Sequence, residues 1–149
     1  VTKDIRMYRA VSLCFAALTL FLCLSGCGGS AGSRQKVLEI FERYHDQIAQ
    51  AAASGDYETL RKNTPVRQVE AQDDGNTVRF FCTGAGLGSA TSYYGVLWLA
   101  DDDPLRYFSG WDGEVTAEED GWLWRERGGD NMFRLEKLED CFYFFEEHY

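Results

Sequence analysis

The hydrophobic positions of this chain change period along its length. Residues 10–24 carry no charge at all. Over 35–53, apolar side chains recur every three or four positions: Val37, Phe41, Tyr44 and Ile48, with Leu38 and Ala52 widening the stripe. That spacing predicts an amphipathic helix, with Ser33 as its N-cap and Ser54-Gly55 as its end. Asp56 caps a shorter helix over 57–62. Asn63-Thr64-Pro65 stops it, because proline disfavours helical backbone in the residue before it. From Val66 onward the period becomes two. Stretches 66–71 and 77–83 flank Asp73-Asp74-Gly75-Asn76, a turn signal between alternating strands, and read as a β-hairpin. In the second strand Val78, Phe80 and Cys82 face one way and Arg79, Phe81 and Thr83 the other. Gly84 to Ser89 reads as a flexible hairpin loop; a phosphate loop would need a following helix and Gly-Lys-Ser/Thr. Strands are predicted at 90–99, at a short segment 105–108, and in a closing meander over 122–127, 131–137 and 141–146, all rich in aromatic and β-branched residues.

These elements predict an α+β fold: an N-terminal helix and a short second helix packed on an antiparallel meander sheet of about five to six strands. The stripe on the long helix must be buried, and one sheet face is the only large apolar surface available. A more curled sheet or partial barrel is the alternative.

The uncharged run 10–24 follows Lys3, Arg6 and Arg9 set against Asp4. Its 15 residues reach about 22 Å as a helix. That is short for a bilayer core of roughly 30 Å, and suits the apolar region of a signal peptide. It closes on Leu24-Ser25-Gly26-Cys27, followed by Gly28-Gly29-Ser30. This resembles the signal of bacterial lipoproteins. The resemblance implies a diacylglyceryl group on Cys27 and cleavage just before it. It divides the chain into a signal peptide (1–26), a lipidated cysteine with a flexible Gly/Ser tether (27–34) and a single α+β domain (35–149). It further implies an extracytoplasmic location, lipid-anchored to the cell membrane. Tyr93-Tyr94-Gly95, Asp102-Asp103-Pro104-Leu105 and the Trp122/Trp124 strand with its closing aromatic run resemble small lipoproteins of Gram-positive bacteria. That likeness brings no activity with it.

Charge narrows the partners. Setting aside Lys3, Arg6, Arg9 and Asp4 leaves 12 basic against 23 acidic residues, a net charge of −11 for 27–149. Nucleic acid is thereby disfavoured, since phosphate binding needs a basic footprint. The partners expected are the membrane, through the lipid on Cys27, and a protein of the cell envelope. Two cysteines, Cys82 and Cys141, remain after the leader and Cys27. Export permits a disulfide between them; two buried thiols are the other reading.

Of the 22 aromatic residues, 19 lie beyond the leader. Phe142-Tyr143-Phe144-Phe145 make both faces of one strand aromatic, and a helix covers only one. Trp122, Trp124, Tyr143 and Phe145 therefore define a candidate partner surface unless they pack as core. The acidic clusters do not follow the calcium-loop pattern. His45 and His148 belong to no metal-spaced or triad signature. No metal, cofactor or enzymatic activity is expected. The reading is a non-catalytic binding module for an envelope partner, with an acidic inhibitor of a cationic enzyme such as lysozyme as the alternative.

Overall fold

The computed structural model describes residues 29–72, 75–87 and 90–149. The leader, Leu24-Ser25-Gly26-Cys27 and Asp73-Asp74 lie outside them. Ser33–Tyr149 form one compact unit. Among the described residues three helices, α1 (Gly29–Ser54), α2 (Tyr57–Asn63) and α3 (Pro104–Tyr107), accompany seven strands: β1 (Gln68–Gln72), β2 (Thr77–Leu87), β3 (Ala90–Leu99), β4 (Gly113–Glu118), β5 (Gly121–Glu126), β6 (Met132–Glu139) and β7 (Phe142–His148). They form one antiparallel sheet in the order β1-β2-β3-β7-β6-β5-β4. Two meanders are thus joined at the centre, where β7 pairs with β3. Among the described residues no helix is long and apolar enough to cross a membrane.

The expected helix is present, but its helical backbone starts at Gly29 rather than after Ser33. It is kinked at Tyr44, whose φ of −118° and ψ of 19° leave the helical region. Gly55 ends it in the left-handed conformation at φ 75°, its N–H donating to Ala51. Asp56 caps α2 by accepting from Thr59 N–H at 3.1 Å. The α1 stripe packs as anticipated. Val37, Phe41, Ile48 and Ala52 are buried with Ile40 and Ala51 against Val78, Phe80, Cys82, Val96, Phe142 and Phe144 of the sheet.

The sheet has seven strands rather than five or six because β4 was not foreseen. Its sequence GEVTAE is mostly exposed, and only Val115 packs onto a core. It is an edge strand carrying charges, as edges commonly do. The segment 105–108 is helical rather than extended. Asp103 accepts from Leu105 N–H and Arg106 N–H, and Pro104 takes the first helical position, where its missing N–H costs nothing. The glycine-rich break is mostly strand: Gly84, Ala85, Gly86 and Leu87 pair with Tyr93, Ser92, Thr91 and Ala90. A bulge at Cys82 precedes them.

The second sheet face is closed as well. Phe81, Leu97, Leu99, Trp124, Phe133, Leu135, Tyr143 and Phe145 form a second core, roofed by Tyr107, Phe108 and Trp111 from α3 and the turn after it. Trp111 lies edge-on to Trp124 at 5.0 Å, and Phe133 stacks on Phe145 at 5.5 Å. Gly95 makes room for this packing. A Cβ there would lie 2.1 Å from the Phe80 carbonyl oxygen and 2.7 Å from the Phe145 ring. Gly95→Ala is expected to destabilise the fold by about 2 kcal/mol or more, as overpacking does, measured by urea denaturation. An unchanged midpoint would show that the two strands separate freely at this point.

Candidate functional site

Beyond the aromatic core, the same sheet face becomes ionic. Arg79 on β2 lies opposite Leu97, and Glu147 on β7 lies opposite Tyr93, four positions further along β3. Arg79 spans that distance by lying across the Phe81 ring, with its guanidinium carbon 5.1 Å from the ring centroid. It donates through Nη1 to Glu147 at 2.9 Å and through Nη2 to Glu70 of β1. Tyr149 stands beside them at the same cleft. Glu147 is 4% exposed. Burial raises its carboxyl above the usual range and Glu70 adds to the rise, against the pull of Arg79. The Arg79 Nε–H is buried and finds no acceptor among the described residues. These groups line a cleft of about 490 Å³ with Arg67, Thr83, Thr91 and Tyr93. Two carboxylates held by one guanidinium are engaged as acceptors, so the arrangement favours recognition over proton transfer.

The sites expected from sequence are distributed differently. Cys27 lies outside the described residues. Cys82 and Cys141 are free thiols. Cys82 sits at the level of Phe145 and Glu146, two strands away from β7, whereas Cys141 precedes Phe142. Four residues of strand and two strand spacings put them roughly 16 Å apart, and a disulfide needs Cα atoms within about 7 Å. Burial pushes the Cys82 thiol up to about 12. The aromatic set forms no exposed face either. Trp124, Tyr143 and Phe145 are buried and Trp122 is half-buried, because α3 and Trp111 cover that side.

The acidic run after β3 is structural. Asp101 pairs with Arg106, and Asp103 caps α3. Asp102, at φ 55°, accepts from Lys137 Nζ at 2.6 Å, Tyr143 Oη at 2.5 Å and Cys141 N–H at 2.9 Å. Burial opposes its charge, but those three donors outweigh it and hold Asp102 below its ordinary value. Among the described residues no group of three or more His, Cys, Asp or Glu is placed to hold a metal ion.

His148 was not expected to join a chemical set, yet Nδ1 lies 2.6 Å from Ser92 Oγ and Nε2 lies 2.8 Å from Glu146. The order resembles a nucleophile, base and orienting acid. Ser92, however, lies inside β3, whose backbone is paired with β2 on one side and β7 on the other. Neighbouring N–H groups are committed to those ladders, which leaves them unavailable for a developing oxyanion. The set ties β3 to β7. His45 similarly ties α1 to the β6–β7 turn through Glu139 at 2.5 Å. No family model, curated protein or solved structure matches the chain.

Two expectations follow from these networks. Arg79→Met strands a buried carboxylate and should cost about 3–5 kcal/mol at neutral pH. The loss should shrink as pH falls through the raised Glu147 value, where the carboxyl becomes neutral, and Arg79→Met/Glu147→Gln should recover most of it. Urea denaturation at pH 7 and 5 checks this, and an equal loss at both would remove Glu147 as its cause. His45 is raised by its hydrogen bonds to Asp46 and Glu139. A raised histidine contributes stability that is complete below its unfolded value near 6.5 and is lost as pH rises through the folded one. Glu139→Gln should lower the His45 value in an NMR titration and flatten the stability profile between about pH 6 and 8.

Proposed function

We propose that this is a membrane-anchored extracytoplasmic lipoprotein whose folded unit is a non-catalytic binding module for a cell-envelope partner. Leu24-Ser25-Gly26-Cys27, after a basic start and a 15-residue uncharged run, supports the anchor. Two acyl chains on one cysteine make a lasting attachment where one is marginal. The observation that carries the binding reading is the cleft around Arg79. It is an open concavity of the size small ligands occupy, roughly 300–1,000 Å³, and it is lined by both charged and aromatic side chains.

The acidic-inhibitor reading draws on a different feature. Glu118, Glu119 and Asp120 are exposed together at the β4–β5 turn of a chain already strongly acidic. A charge-driven inhibitor would act on a cationic lysozyme at low salt and lose that effect at high salt.

Radiolabelled palmitate should enter the wild-type chain in cells and fail to enter Cys27→Ser. Equal labelling of the two would remove the anchor from the account. The full chain in detergent should co-sediment with envelope fragments, and Tyr93→Ala/Tyr149→Ala should reduce that capture several-fold at both low and high salt. Capture untouched by the double variant and abolished by salt, with lysozyme inhibited, would favour the inhibitor instead.

A further inference from the structure

We propose that the cleft around Arg79 takes an uncharged, polyhydroxylated ligand, a short oligosaccharide, with Tyr93 and Tyr149 as stacking surfaces. The inference rests on the reading of that cleft as a binding site, and names what it binds.

Three features point to this chemistry. The first is charge balance. Arg67 and Arg79 face Glu70 and Glu147 across one cleft, so its charged side chains cancel. An anion would have to displace Glu70 or Glu147 from Arg79, or sit on exposed Arg67 beside those two carboxylates, and a cation would have to displace Arg79 from them. A neutral ligand meets neither obstacle.

The second feature is the hydrogen-bonding capacity left over. Arg67 is exposed at the cleft, and its guanidinium offers N–H donors to a ligand. A carboxylate accepts at about four positions, more than Arg79 fills on Glu70 or Glu147. The complementary group accepts one hydrogen bond and donates another. A hydroxyl does both, and adjacent hydroxyls on a sugar ring present that pair side by side.

The third feature is where aromatic surface is exposed. Among the described residues only three large hydrophobic side chains are exposed, Tyr93, Leu105 and Tyr149. Two of the three stand at this cleft. Their rings are 6.4 Å apart at 69°, so they form a corner rather than one flat platform. Tyrosine offers a rigid apolar face at small entropic cost, suited to the C–H face of a pyranose. Tyr93 also packs edge-on against Phe81 at 5.9 Å, which fixes it relative to Arg79.

The test uses the full chain in detergent, with chitotetraose, cellotetraose and maltotetraose as neutral probes. The glucosamine tetramer and tetragalacturonate are the cationic and anionic comparisons. Binding is followed by tyrosine and tryptophan fluorescence and by NMR. At least one neutral tetramer should bind saturably. Tyr93→Ala and Tyr149→Ala should each weaken it about tenfold, or about 1.4 kcal/mol. Both rings lie outside the two cores, so these variants keep the test valid should Arg79→Met fail to fold. Neutral probes should bind at least tenfold more tightly than either charged one. No saturable binding of any neutral tetramer, equal binding of a charged one, or indifference to both tyrosine substitutions would overturn the proposal. Should envelope capture still depend on the two tyrosines while every sugar fails, the binding-module reading stands and the ligand class falls. A peptide laid along the edge of β1 would then be the occupant to examine.

Discussion

The structure depends on β7 being apolar on both faces. Phe142 and Phe144 complete the core beneath α1, and Tyr143 and Phe145 complete the core beneath α3. Fully burying a large apolar side chain stabilises by roughly 1.5–3 kcal/mol, and here four such side chains act in sequence. The same strand gives its backbone to β3 on one side and β6 on the other. Two meanders that share no other central pairing are thereby held as a single sheet. A strand with one polar face could join them only at an edge, and one of the two cores would lose its floor.

The cleft is the continuation of that strand. After Phe145 the sequence turns acidic, and alternation sends the two acids to opposite faces. Glu146 goes to the helix side, where it meets His148. Glu147 goes to the other side, where it meets Arg79. Each acid is held by a partner suited to its face. A buried ion pair adds little net stability compared with an apolar replacement, while removing one partner leaves the other charge buried and alone.

The helix stripe, the two-residue period of β2 and the closing meander were legible because each is a strong local pattern. The register of β2 came out as its alternation indicated, with Val78, Phe80 and Cys82 under α1 and Phe81 on the other side. β4 was missed because an edge strand can be built from Gly, Glu and Thr, with one valine to anchor it. α3 was misread although Asp103-Pro104 is a helix-opening pair; Leu105, Tyr107 and Phe108 behind it, broken only by Arg106, looked like a strand. The aromatic surface was anticipated because a helix covers one face. What closed the other was a four-residue helix and Trp111, whose role emerges only in three dimensions. The cleft had no local signature. Glu70 and Arg79 face each other across the β1–β2 hairpin, but Glu147 is distant in sequence, and only the topology brings it to them.

Strand order also bears on assembly. β3 is an inner strand of the sheet, yet its second neighbour, the central β7, follows every other described strand in sequence. During folding, β1 to β3 can pair locally, leaving one side of β3 open until the distant segment arrives. Such long-range closure is slow, and an unpaired apolar strand is exposed to foreign contacts in the interval. The sheet cannot close ahead of its keystone, so both cores stay incomplete until β7 takes its place between β3 and β6.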